Sequence, residues 1–119
     1  MEASTENGSA DTAKRSRISV LLGKGQSLLR LDQADNAMTC FEEALGMEPN
    51  HAEALLHKAS ALERLGKFPE AIEQYDRALA ADSSLILAYL YKGGIFNRME
   101  RYEEALECYE QALRAQEKR

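Results

Sequence analysis

The sequence predicts an all-α fold of three stacked helix pairs. Three observations lead there: a 34-residue internal repeat, helical spacing of the apolar residues within each repeat, and short polar turns at matching positions. Laying residues 18–51 over 52–85 and 86–119 aligns three segments without a gap, and the register shows in many columns at once. Gly25, Ala59 and Gly93 coincide, as do Leu28, Leu62 and Phe96, and Leu31, Leu65 and Met99. In the second half of each unit Ala37, Ala71 and Ala105 align, followed by Phe41, Tyr75 and Tyr109, then Ala44, Ala78 and Ala112, then Leu45, Leu79 and Leu113.

Each unit then reads as two amphipathic helices. The first helix of the first unit, over 14–31, gathers Leu21, Gly25, Leu28 and Leu31 on one face, and the turn Asp32-Gln33 ends it. A second helix over 34–47 gathers Ala37, Phe41, Ala44 and Leu45, and Glu48-Pro49-Asn50 stops it. The pattern returns with helices over 52–65 and 68–81 around Gly66-Lys67, and again over 86–99 and 102–115 around Glu100-Arg101. Small residues at the crossing let paired helices approach to about 8–10 Å, while the neighbouring aromatic ring fills the space beside them. Ala71 and Ala105 are therefore expected to be inaccessible.

With 45% apolar and 29% charged residues, a chain of 119 suits a single globular domain. Residues 1–13, rich in Ser, Thr, Glu, Asn and Gly, bury too little apolar surface to offset the entropy of ordering. They read as a flexible tail ahead of a domain over 14–119, with Asp11 or Thr12 as the helix cap. No apolar run approaches the roughly 18 residues of a membrane span. The start, Met1-Glu2-Ala3-Ser4-Thr5-Glu6, lacks the basic stretch and apolar core of a secretory leader, so a cytoplasmic location is expected. Cys40 and Cys108 occupy the same place in units one and three, which sets them on the order of 20 Å apart at about 10 Å per helix layer. Two separate thiols are expected.

These columns resemble those of the tetratricopeptide repeat family, and the resemblance covers residues 18–119. A large residue (Leu21, Leu55, Tyr89) precedes the small one at Gly25, Ala59 and Gly93; a leucine or aromatic follows, then Ala, aromatic, Ala and a closing proline. Two features depart from the family pattern. Tryptophan is missing from the opening position, and the proline survives only as Pro49, with Ser83 and Glu117 at the matching places. The resemblance implies a right-handed α–α solenoid whose first helices line a concave groove. It also implies a scaffold or adaptor that binds a peptide or partner helix and catalyses nothing. One subclass of the family clamps a partner's C-terminal carboxylate with lysines, asparagines and an arginine along that groove. Leu22, Gln26, Gly23, His57, Leu87 and Tyr91 stand at the matching places here, which counts against binding of chaperone tails. In size and repeat style the chain is also similar to short bacterial kinesin-light-chain-like repeat proteins, which implies a self-assembling or filament-associated adaptor as the alternative.

No residue pattern points to a catalytic centre, a cofactor or a metal. Gly23-Lys24-Gly25 and Lys92-Gly93-Gly94 lack the earlier glycine and the preceding strand of a phosphate loop, and both fall inside helices. His51 and His57 are six apart and do not share the i, i+4 face of a helical metal pair. Glu42-Glu43 and Glu103-Glu104 decorate the solvent face of second helices. Lys24, Lys58 and Lys92 recur beside Leu21, Leu55 and Tyr89, where a lysine stem covers apolar surface while its head reaches water.

Arg30, Arg64 and Arg98 recur on a different face, which they share with Gln26, with His57 and Ser60, and with Tyr91 and Gly94; Leu22, Leu56 and Leu90 flank it. In the solenoids this chain resembles, that face lines the groove. These eleven residues are the candidate partner-binding set, with Tyr91 as an interface anchor. Over the spans given above, the first helices carry a net +7 and the second helices −8. An acidic partner segment with apolar anchors is therefore expected to be steered to the groove. The net charge of −5, the pI near 5.1 and the 34-residue period count against a nucleic-acid partner, including helical-repeat RNA recognition of the pentatricopeptide kind. The chain stops just past the third pair, which leaves Leu106, Tyr109 and Leu113 at an incompletely covered end and predicts weak self-association.

Overall fold

The computed structural model describes residues 2–118, and every regular element among them is a helix. α1 spans Glu2–Arg30, α2 Ala34–Met47, α3 Ala52–Arg64, α4 Phe68–Ala81, α5 Ile86–Arg98 and α6 Tyr102–Glu117. α1 packs on α2, α3 on α4 and α5 on α6, and each pair rests on the next through α2 against α3 and α4 against α5. The first helices also approach one another, α1 to α3 and α3 to α5, whereas among the described residues no α-carbons of successive second helices come within 8 Å. An inner layer that is closer together than the outer one bends the stack towards the first helices, as in helical solenoids. Among the described residues no helix is long and apolar enough to cross a membrane.

The turn inside each pair is the same in all three units. Asp32, Gly66 and Glu100 adopt φ of 62°, 77° and 60°. Gln33 N–H donates to Leu28 O at 2.8 Å and Asp32 N–H to Leu29 O at 3.0 Å, and the same two bonds recur at Lys67 and Gly66 and at Arg101 and Glu100. This left-handed residue satisfies the last carbonyls of the first helix and reverses the chain, so the second helix folds back at once. Gly66 takes the conformation without strain. Asp32 and Glu100 each carry a Cβ there, at a cost of about 1–2 kcal/mol, which a short polar side chain such as Asp offsets better than Glu.

Within a pair, a small residue faces an aromatic ring. A Cβ placed on Gly25 would collide with the Phe41 ring, and one on Gly93 would lie 2.9 Å from Tyr109 Cζ. In the middle pair Ala59 and Tyr75 share the core and are both fully enclosed. Ala71 and Ala105 are buried as the register requires. Cys40 and Cys108 are buried thiols with no bridge. Burial pushes the Cys108 thiol above its ordinary value, with Lys92 opposing, which leaves it protonated and unreactive.

Three expectations differ from the structure. Residues 1–13 were set apart as a tail, with the domain starting at 14, but α1 is continuous from Glu2, and Met1 lies outside the described residues. Thr12 does not cap a helix start; its hydroxyl donates to Gly8 O at 2.8 Å from within α1. Once packing nucleates residues 18–29, backward propagation adds one hydrogen bond per residue, and no proline interrupts it. Leu31, expected on the pairing face, is exposed. Its counterparts Leu65 and Met99 pack against the preceding pair, so that column serves contacts between pairs rather than within them.

Two glycines two residues apart should respond oppositely to substitution. Gly25→Ala forces the Phe41 ring to move and should destabilise by about 1–3 kcal/mol through overpacking. Gly23→Ala meets nothing within 4 Å and should stabilise by about 1 kcal/mol through helix propensity. At the last turn, Glu100→Gly should raise stability by about 1 kcal/mol by removing the Cβ from the left-handed position. Urea unfolding monitored by helicity measures all three, and a stabilising Gly25→Ala would contradict the pairing geometry.

A concave groove between the first helices

The side of α1, α3 and α5 that faces away from the second helices forms one open trough of about 550 Å³. Gln26, Leu29 and Arg30 of α1 line it, with Leu56, His57, Ser60, Glu63 and Arg64 of α3 and Leu87, Tyr91 and Arg98 of α5. The groove thus brings together the expected set apart from Leu22, Leu90 and Gly94. Leu22 is buried in the first core with Ala54 and Ala61 of α3, so it fills space between pairs instead of lining the trough. Leu56 lines the trough but is itself buried in the second core. Leu90, its counterpart on α5, is exposed but lies outside the trough, and Gly94 has no side chain to reach it. Leu29 and Glu63 line the groove without having been expected there, whereas Leu87, which the family resemblance sets at a groove place, lines it as well. Leu29 and Glu63 share their column with Asn97, and Leu87 shares its own with Ser19 and Glu53. Columns of unlike residues give no periodic signal.

The repeated arginines prove to be braces between successive first helices. Arg64 Nη1 donates to Leu29 O at 2.8 Å, placing a cation on the last turn of α1, where the helix dipole is negative. Arg98 Nη1 donates to Glu63 Oε2 at 3.3 Å, and its guanidinium lies 4.7 Å from the Phe68 ring centroid. Arg30 has no such partner among the described residues. The lysine column works on the other side of the same helices. Lys58 Nζ stands 3.9 Å from Glu42, and Lys92 Nζ 2.6 Å from Asp76. Together with Arg17 to Glu43 at 2.6 Å, these pairs engage first-helix cations with second-helix carboxylates. The cationic character left to the groove therefore comes from the three arginines, set against Glu63.

A polar chain crosses the floor of the groove. Burial keeps the Tyr75 hydroxyl protonated far above its ordinary value, Ser60 opposing and Glu63 reinforcing. Its one proton goes to Glu63 Oε1 at 3.0 Å, which leaves the Ser60 hydroxyl, 3.1 Å away, as donor to the Tyr75 oxygen. Glu63 thus takes a tyrosine with one oxygen and Arg98 with the other. His57 stacks on Phe41 at 5.5 Å between ring centroids and meets the Gln26 amide nitrogen at 3.0 Å through Nε2. With the amide donating, Nε2 accepts and the imidazole is neutral. Burial holds its pKa below the ordinary value, with Glu53 opposing and His51 reinforcing. Tyr91, its ring tilted against Tyr75 at 6.0 Å between centroids, is 40% exposed and presents its outer face to the groove.

A sequence profile of the tetratricopeptide repeat matches residues 22–86, and a second of the same description matches residues 86–119. No curated protein matches the sequence. Among solved structures, the first such domain of Spaghetti (RPAP3), bound to the HSP90 peptide SRMEEVD, is 28% identical with a TM-score of 0.78, over 84% of this chain and 79% of that one. The Arabidopsis OM64 domain is 24% identical with a TM-score of 0.80, over 89% and 88% of the two chains. MamA is 21% identical with a TM-score of 0.75, over 93% of this chain and 71% of that one. The last two likenesses are of fold.

The depressed pKa of His57 carries a sign for stability. Below its ordinary value of 6.5 the unfolded chain takes up the proton more readily than the folded one, so stability falls as pH drops from there towards the folded pKa. His57→Gln removes this titration while keeping a polar partner for Gln26. Thermal unfolding followed from neutral pH to about pH 5 should show a shallower acid-side loss in the variant. Identical slopes would place the loss elsewhere.

Proposed function

Because the chain belongs to the tetratricopeptide repeat family, we propose that it is a protein–protein interaction module, an adaptor whose groove takes a segment of a partner protein. The observation that carries this reading is the open trough itself, with Tyr91 half exposed at one end and Arg30 at the other. Three first helices at about 10 Å spacing span on the order of 20 Å, the length of about six residues of extended chain. The Spaghetti domain, whose structure holds an HSP90 peptide, lends support to a peptide as the ligand. The chemistry of the groove makes its reading of a peptide different from a carboxylate clamp. Leu87 and Tyr91 offer apolar contact, and the arginines favour an acidic segment.

Binding without catalysis fits the state of the polar groups. His57 is engaged with Gln26, and Ser60, Tyr75, Glu63 and Arg98 form a connected chain, so among the described residues of the groove these polar groups are spent on one another. Buried thiols at Cys40 and Cys108 accord with a reducing compartment, and we place the protein in the cytoplasm.

Two substitutions separate steering from anchoring, and both leave the braces intact. Arg30→Glu should slow association and flatten its salt dependence, because long-range attraction acts before contact. Tyr91→Ala should speed dissociation, costing about 2 kcal/mol or more if the ring is covered by the partner. With a partner identified by crosslinking, stopped-flow or surface-based kinetics give both rates. Binding that survives both changes but is lost on substituting Glu73, Glu107 or Glu110 would move the functional face to the second helices.

A further inference from the structure

The two internal junctions of the stack are built from the same columns. In α3, Ala54 and Ala61 are fully enclosed and Leu65 is half-buried against the first core; in α5, Ala88 and Ile95 are fully enclosed and Met99 is half-buried against the second. On the opposing side, Met38 and Leu45 of α2 and Ile72 and Leu79 of α4 are half-buried under the following pair. The same columns are open at both ends of the array. α1 presents Val20 and Leu31, 69% and 68% exposed, and α6 presents Leu106 and Leu113, 62% and 60% exposed.

The charges follow the same register. At each internal junction a lysine meets a carboxylate sixteen residues earlier, Lys58 with Glu42 and Lys92 with Asp76. That column continues to Lys24, exposed on the open face of α1, and to Glu110, exposed on the open face of α6. At each junction, too, an arginine reaches a residue thirty-five earlier, Arg64 to Leu29 and Arg98 to Glu63. The matching residues at the ends are Arg30 on α1 and Asn97 on α5. The apolar columns, the ion pair and the brace therefore agree on one docking arrangement.

We infer that the α6 face of one copy receives the α1 face of a second copy, as α2 receives α3 and α4 receives α5. Lys24 of one copy meets Glu110 of its neighbour, and Val20 and Leu31 cover Leu106 and Leu113. Because the two faces differ, each addition leaves one of each kind open, and copies add head to tail instead of closing as a symmetric dimer. The inference does not depend on what the groove binds, and Arg30 is the residue named for both faces.

Sedimentation tests it. The wild-type average mass should rise with concentration past that of a dimer. Val20→Glu and Leu106→Glu alter exposed side chains, so circular dichroism should show both folded, and each alone should lose at least about tenfold in association by placing an unpaired charge in the junction. Mixed in equal amounts, the two variants retain one compatible junction and should form a heterodimer that grows no further. Lys24→Glu should weaken assembly, and Lys24→Glu combined with Glu110→Lys should restore it. A wild type that stays monomeric at all concentrations, or a charge-swapped double variant that recovers nothing, overturns the inference. A Val20→Glu variant that still dimerises points to α6 faces meeting each other and overturns it equally.

Discussion

Gly25 beneath Phe41, Ala59 beside Tyr75 and Gly93 beneath Tyr109 set how closely the helices of each pair approach, and the rest of the molecule is placed by that distance. A small residue brings the two backbones near, and the ring closes the space its missing side chain leaves. With the pairs this thin, the backbones of successive first helices come closer than those of the second helices among the described residues, and the inner surface becomes concave. The groove is therefore a by-product of packing. Within it, Arg64, Arg98 and the buried Leu56 help to hold that shape, and the other lining residues are free of that task.

The left-handed turns act with that constraint. A chain that reverses within two residues cannot let its helices splay, and the paired backbone bonds at Gln33, Lys67 and Arg101 hold the reversal in the same form each time. Glycine stands at this position only in the middle unit, although the backbone asks for the same conformation in all three. The conformation is thus imposed by packing of the flanking helices, which outweighs the local cost at Asp32 and Glu100.

The fold was legible because its forces are periodic. The within-pair columns, the turns and the burial of Ala71 and Ala105 all follow from residues recurring every 34 positions. The groove was legible for the same reason up to a point: the arginine column lies on the face expected, but its members brace neighbouring helices, which only the distance from Arg64 to Leu29 O reveals. Leu22 and Leu56 looked like surface leucines because a single helix gives no sign that the next pair will cover them. Glu63 was missed because its role rests on Tyr75 and Arg98, residues twelve and thirty-five positions away, in a column whose other members are unlike it. The backward extension of α1 was missed because composition measures what a segment can bury, and this one is held by its own backbone.

The three cores are unequal. The middle one joins Leu55, Leu56, Leu62, Tyr75 and Ile95 with several alanines, whereas the one under the last pair consists of Phe96, Ala105 and Cys108, with Ile72 and Tyr109 against it. In a stack whose stability is a sum over units and their junctions, such a gradient makes α6 fray more readily than α3 or α4, with amide exchange faster there than in α3. Tyr91 sits on α5, the neighbour of that fraying helix. A segment that gripped its ring as proposed would also quiet the last pair, exchanging part of the free energy of recognition for order there and protecting that pair from proteases.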